Sequence, residues 1–409
     1  MPEIAPFAAI RFNADKLGAD LAGFLAPPYD VLEQSDKNAL LATNPRNIVA
    51  IDLPFLPPKT AGPPEVYEAS ARLLLDWLKD GTLIHDRAPA LYVYHQRFVH
   101  QGRGYTRKMF IARARLTPFS EGQILPHERT FGGPKEDRLA LMIATKCNLS
   151  PVFGLYSDTE GRVEAAFAGV FHRPPGAYGT LDGVENLLWV VPDRGVTDRV
   201  VSAMAEKKVY IADGHHRYET ALRYREEVAR EFGGTLPENH PAAYVMVVLA
   251  GMDDPGCLIL PYHRVLTGSD LSALLHAWSP GTVRAQEPDA DLSLVEGSTG
   301  RREFLQFTNR AKLAELEPAQ PPAWHQLDTA YLHRYLIDEL LTHKAAVEYV
   351  KSEDEAVRIA REQNGVALLM KATPMTQLRA VSEAGGLMPQ KSTYFHPKLA
   401  TGLTVNSLT

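Results

Sequence analysis

A chain of 409 residues, 45% hydrophobic and 22% charged, carries enough apolar content for a buried core and is too long for one ordinary domain. Its formal charge of -6 gives no reason to expect non-specific affinity for nucleic acid or for an anionic membrane. Two cysteines, Cys147 and Cys257, stand far apart in no metal-ligand or redox spacing, which argues against a disulfide framework or a Cys-based zinc site and suits a reducing cytoplasm. "MPEIAPFAAIRFNADKLG" lacks a basic start followed by a long apolar run, and no later segment approaches membrane-spanning length, so a cytoplasmic protein is expected.

Proline-rich punctuation recurs in "APPYD", "LPFLPPKTAGPPE", "HRPPG" and "EPAQPPAWH", and apolar periodic segments resume soon after each, which marks ordered loops. "EVYEASARLLLDWLKDGTL" places Val66, Leu73, Leu74, Trp77 and Leu78 at helical spacing and stops at Gly81. "ALYVYHQRFVHQGRGYTRKMFIARARL" reads as a β-hairpin around a Gly-containing turn. A short strand follows at "SPVFGLYSD", then a helix-and-strand stretch to "NLLWVVPD". Residues 208–212 predict a strand and "YETALRYREEVAREFGG" a helix that ends at a Gly pair. "YVMVVLAGMDDPGCLILPYHRVL" predicts two strands around a polar turn. Beyond it lie a helix near 270–278, a strand at 303–308, a helix at 328–341 and a strand–helix–strand–helix run to residue 386. The sum is an α/β chain of the α+β kind, with mixed sheets.

The segment "KVYIADGHHRYETAL" sets Asp213, Gly214, His215, His216 and Arg217 at the joint between strand and helix. A helix start has unpaired N–H groups and the positive end of the helix dipole behind them, which together form an anion site. Gly214 permits a sharp turn or a close approach, Arg217 can fork onto phosphate oxygens, and the histidines can donate to a phosphoryl group. Asp213 can hold magnesium or take a proton. A plain capping turn accounts for Asp213 and Gly214 but does not require His-His-Arg. Adjacent side chains on a helix point about 100° apart, which argues against both histidines binding one transition metal.

"YIADGHHRYETAL" resembles the Asp-Gly-His-His-Arg phosphate-binding motif of the ParB and sulfiredoxin-like superfamily, which includes free serine kinases and nucleotide-hydrolysing chromosome-partition proteins. "LAPPYDVL", "HERTFGGPKEDRL", "ADGHHRYETAL" and "MPQKSTYFHPKL" together resemble the domain of unknown function 1015 family over nearly the whole chain. The superfamily likeness implies a phosphate or nucleotide ligand, ATP or ADP with magnesium, and a ParB/sulfiredoxin-like core at 116–265. An N-terminal α/β region would precede it at 1–115, and a mixed α/β C-terminal region at 266–409 would return a basic tail to the site.

By the serine-kinase likeness Glu128 is the base, with His127 and Arg129 beside it. Lys135 in "TFGGPKEDR" and Lys391, Ser392 and Thr393 in "QKSTYFHPK" are candidate phosphate ligands, in a tail that also carries His396 and Lys398. Tyr29 and Asp30, in a Pro-flanked turn, are candidate substrate contacts. The expected function is a phosphotransferase or phosphatase acting on a small hydroxyl metabolite such as free L-serine or phosphoserine. The alternative is a ParB-like nucleotide-operated switch acting through a partner. The acidic balance and the lack of a clear helix-turn-helix segment argue against nucleic acid as that partner. A homodimer is compatible with the chain.

Overall fold

A computed structural model describes residues 2–56, 60–128, 133–341 and 346–409. The chain divides into two compact units. The first comprises residues 1–125, 130–257 and 397–409, and the second residues 126–129 and 258–396. The last thirteen residues therefore belong with the first unit, although the second unit interrupts the chain before them.

The first unit is built on a nine-stranded mixed sheet among the described residues. Its strands are β1 (Leu91–His100), β2 (Arg103–Arg115), β3 (Ile124–Leu125), β4 (Val152–Tyr156), β5 (Ala177–Leu181), β6 (Val184–Val191), β7 (Val209–Asp213) and β8 (Tyr244–Gly251), in the order β3-β7-β4-β8-β2-β1-β6-β5. A short strand at Ile4–Ala5 joins β2 outside this path. β1 and β2 form the predicted hairpin, with Tyr92 opposite Ile111 and His100 opposite Arg103. β3 runs parallel to β7, β4 parallel to β8, and the other neighbouring pairs are antiparallel.

Four helices of this unit matter for the site: α1 (Pro64–Lys79), α2 (Gly133–Thr145), α3 (Arg194–Met204) and α4 (His215–Glu231). α1 starts with proline in its first turn and buries Tyr67, Ser70, Leu74 and Trp77, a stripe spaced by three and four residues. α2 was not predicted; its Gly-Pro start reads in sequence as loop punctuation, yet both residues are tolerated in a first turn, where N–H groups lack partners anyway. One face of the sheet buries Val93, Phe110, Ile124, Val209, Ile211, Val247 and Leu249 with Val200, Met204 and Tyr218 of the helices.

The second unit carries an antiparallel six-stranded sheet. Its strands β10 (His263–Thr267), β11 (Thr282–Arg284), β12 (Leu292–Glu296), β13 (Arg302–Phe307), β14 (Ala346–Val350) and β15 (Val366–Met370) lie in the order β11-β13-β12-β15-β10-β14. Helix α5 (Glu353–Glu362) buries Ala356, Ile359 and Ala360 against Val265, Val295, Ala367 and Leu369. A separate ribbon pairs β9 (Leu258–Leu260) with β16 (Tyr394–His396).

Two expectations change here. The segment 244–266 yields three strands rather than two, because Pro261, which has no N–H to donate, separates β9 from β10 and the two join different sheets. The helix predicted at 328–341 is a short α-turn, Asp328–Ala330, that widens into a π-helix at Tyr331–Ile337. Backbone bonds from Asp338 to His333 and from Leu340 to Tyr335 close that wider winding. Among the described residues no helix is long and apolar enough to cross a membrane.

Candidate functional site

β7 is apolar and buried until its last residue, and its register with β4 shifts between Ile211 and Asp213. The chain then turns through Gly214, whose φ of +87° lies in the left-handed region that glycine alone adopts cheaply. A Cβ at this position would sit 2.9 Å from Arg217 Nε, so the glycine also makes room for the arginine folding back beneath it. α4 starts at once with His215, and its first backbone bond is Tyr218 N–H to the Gly214 carbonyl. Strand, left-handed glycine and a seventeen-residue helix thus produce the helix start that the sequence predicts.

Asp213 is the electrostatic centre. Its Oδ1 accepts the Gly214 N–H at 2.8 Å and lies 3.8 Å from Arg217 Nη2, and its Oδ2 accepts Lys398 Nζ at 2.9 Å. Burial opposes charge on this carboxyl, but Lys398, Arg217 and His215 outweigh it and hold the group well below the usual carboxylate range. Arg217 is buried and also donates to the Pro151 carbonyl. Burial opposes its charge too, and Asp213 and Asp30 prevail and keep the guanidinium protonated.

Around this core stand further groups of the same unit. His216 is half-buried, and burial, then Lys135, lowers its pKa and favours the neutral ring. Lys135 lies in the first turn of α2 and pairs with Glu219 of α4. Tyr29 and Asp30 form one 3-10 turn, and Asp30 acts electrostatically on His216 and Arg217. The ring of Tyr29 is buried beneath Arg138, whose guanidinium carbon is 4.1 Å from the ring centroid.

Sequence reasoning missed the buried network next to this turn. Arg138 bonds Asp137 at 2.7 Å and the Asp52 carbonyl at 2.6 Å, and Ser150 Oγ donates to Asp52 Oδ2 at 2.8 Å. Arg138, Asp52 and Ser150 line a small cavity of about 30 Å³ together with Arg217 and Tyr29. The available signal was the lone carboxylate in the apolar run "NIVAIDLPFL". Lys398 reaches the turn because its own carbonyl accepts from Gln96 Nε2 at 2.9 Å and the preceding Pro397 carbonyl from Arg107 at 2.6 Å.

The other sequence candidates lie in the second unit. His127 is buried, with Nε2 2.9 Å from Thr393 Oγ1, and its carbonyl accepts Met388 N–H. Glu128 Oε1 accepts the Lys391 N–H at 3.4 Å. Lys391 has a φ of +56°, its carbonyl accepts from the buried Arg264 at 2.9 Å, and its ammonium sits 5.1 Å from the Tyr262 ring centroid. Ser392 Oγ donates to the Pro389 carbonyl at 2.6 Å and lies 3.0 Å from Thr329 Oγ1. Residues 127–128 and 391–393 are therefore brought together, as an internally bonded pin in the second unit, whereas Lys398 joins the 213–217 turn. Arg129 lies outside the described residues.

Asp213 does not fit the magnesium role expected of it. Both its oxygens are engaged by N–H donors and two cations flank it, whereas Mg²⁺ needs oxygen ligands around it. Among the described residues no group of three or more His, Cys, Asp or Glu is placed to hold a metal ion.

No curated protein matches the chain. Among solved structures, a free serine kinase variant in complex with ADP is similar at 11% identity and a TM-score of 0.35, over 69% of this chain and 89% of that one. SbnI with a C-terminal truncation, from Staphylococcus aureus, is similar at 14% identity and a TM-score of 0.37, over 71% and 86%. A conserved hypothetical protein from Pyrococcus furiosus is similar at 12% identity and a TM-score of 0.31, over 69% and 93%. Likenesses this distant carry no argument about activity. The family model described as "Protein of unknown function (DUF1015)" matches residues 4–330, most of the chain, and the protein belongs to that family.

Proposed function

We propose that the 213–217 turn binds the phosphates of a small metabolite or nucleotide, and that the protein transfers or hydrolyses a phosphoryl group on a small hydroxyl compound such as free L-serine or phosphoserine. The observation that carries this reading is the convergence of a guanidinium, Arg217, and an ammonium, Lys398, on one carboxylate at the N-terminus of a long helix. Helix N–H groups and the dipole attract an anion there, and the two cations are charged and pre-positioned. An incoming phosphate competes with Asp213 for Arg217 and Lys398, so the carboxylate holds the cations in place until the ligand arrives.

Phosphoryl transfer depends on positioning and charge neutralisation. The acceptor hydroxyl attacks phosphorus, its proton passes to a carboxylate, and the bond to the leaving phosphate oxygen breaks as charge gathers beside Arg217 and Lys398. Glu128 as that carboxylate rests on the motif resemblance alone. ATP or ADP as donor rests on the same resemblance, and no step runs through a metal on Asp213.

Phosphorus NMR of the protein with magnesium, L-serine and either ATP or ADP, and separately with phosphoserine alone, tests the reading beside His216→Ala. The expected result is phosphoserine formed or consumed by the wild type and much more slowly by the variant. Nucleotide bound without turnover of any of these compounds would move the assignment to a ligand-operated switch.

A further inference from the structure

The register of β1 and β2 sets His95 opposite Lys108 and the next residue, Gln96, opposite Arg107. Successive side chains leave a strand on opposite faces, so this one-residue step separates two environments. Gln96 and Arg107 hold the carbonyls of Lys398 and Pro397, on the side of the 213–217 turn. His95 and Lys108 line a cavity of about 190 Å³ on the other side, and none of residues 213–217 contributes to it. At ~30 Å³ per water this is space for about six waters or one small organic molecule.

The cavity has an aromatic floor and an acidic rim. Phe110 lies 6.1 Å from Tyr156 and 5.5 Å from Phe167, and Phe171 lies 4.9 Å from the His95 ring. Four carboxylates, Asp158, Glu164, Asp253 and Asp254, face one lining ammonium, Lys108. Asp158 pairs with Lys207 at 3.0 Å and Glu164 with Lys108. Asp254 accepts, among the described residues, the backbone N–H groups of Lys108 at 3.1 Å and Gly256 at 2.7 Å, and Asp253 is exposed.

His95 is 7% exposed and, among the described residues, neither ring nitrogen has a hydrogen-bond partner. The ring nitrogens are not among the fully buried unpaired atoms and keep accessible surface where His95 lines the cavity, so a donor group seated there can bond one of them. Burial, then Lys108 and Arg97, pushes its pKa down to about 4, so at neutral pH the ring keeps one nitrogen as an acceptor.

We propose that this cavity is a second ligand site, specific for a small organic cation with an apolar or aromatic body. The ammonium donates to His95 and faces Asp253 and Asp254, and the body lies against Phe110, Phe167 and Phe171. An anionic ligand of the same shape meets the acidic rim and is rejected.

The test is calorimetric titration of the full chain with benzylamine, its neutral analogue benzyl alcohol and the anion benzoate, with the ring signals of His95 followed in protein carrying labelled histidine. Benzylamine is expected to saturate in the millimolar range and shift the His95 signals, with benzyl alcohol at least fivefold weaker and benzoate silent. His95→Leu and Asp253→Asn are each expected to weaken benzylamine severalfold; the exposed Asp253 keeps the test valid if His95→Leu fails to fold. Absence of saturable benzylamine binding, benzoate or benzyl alcohol binding as tightly, or binding that survives both substitutions would overturn the proposal.

Discussion

The 213–217 turn and the 127–128/391–393 cluster offer the same side-chain chemistry, histidine and lysine beside a carboxylate, and they spend it differently. At the turn, charges meet charges: Arg217 and Lys398 converge on Asp213, and the helix start behind them adds positive potential. In the second cluster His127 meets Thr393, Ser392 donates to a carbonyl, and the Lys391 ammonium lies against an aromatic face. Contacts of this kind fix a chain segment, whereas paired opposite charges at a helix start can exchange partners with an incoming anion. The comparison predicts that substitutions at the turn act on ligand affinity and those in the pin act on stability, with Glu128 as the exception under the proposed function.

The largest effect belongs to that exception. Glu128→Gln is expected to slow turnover by about a hundredfold or more while leaving nucleotide affinity within about twofold, the signature of a lost general base. Steady-state rates set against equilibrium dialysis separate the two, and a matching loss of affinity would return Glu128 to the pin. Next comes Arg217→Met, which removes the buried guanidinium from Asp213 and from the Pro151 carbonyl. Phosphate or nucleotide affinity should fall by about ten- to a hundredfold, since hydrogen bonds to charged groups contribute roughly 1.5–3 kcal/mol.

Gly214→Ala strains a backbone at φ +87° and crowds Arg217 Nε at 2.9 Å, so a stability loss of about 1–3 kcal/mol with weakened ligand binding is expected in urea melts. Lys398→Met should cost about 1–2 kcal/mol and alter the acid limb of the stability profile. The folded pKa of Asp213 is depressed, so its contribution is present above the ordinary value near ~3.9 and is lost as pH falls through that value toward the folded one. Stability of the variant should therefore fall less steeply below about pH 4 than that of the wild type. The smallest effect is at Ser392→Ala, where loss of the bond to Pro389 costs about 1 kcal/mol of stability and leaves phosphate affinity unchanged.

Local order was largely legible in sequence, because alternation in "LYVYHQRF" and the apolar run before Gly214 encode a hairpin and a strand–turn–helix directly. The long-range pairings were not. Nothing in "QKSTYFHPK" says that Lys391 turns onto Tyr262 while Lys398, seven residues later, reaches Asp213; that choice is made by Gln96 and Arg107, some three hundred residues earlier in the chain. α2 was hidden by its Gly-Pro start, and the π-winding at Tyr331–Ile337 shares its apolar pattern with an ordinary helix. The setting of Asp213 has the same origin: the carboxylate and Arg217, four residues on, are visible in one motif, but Lys398 comes from 185 residues later in the chain.

The measurement that tests the central claim most directly is calorimetric titration of the full chain with ADP and with pyrophosphate, run for the wild type, Arg217→Met and Ser392→Ala. Saturable binding that Arg217→Met weakens at least tenfold and Ser392→Ala leaves intact is the predicted result. Binding that withstands Arg217→Met, or no binding of either phosphate compound to the wild type, would contradict the assignment of the 213–217 turn as the phosphate site.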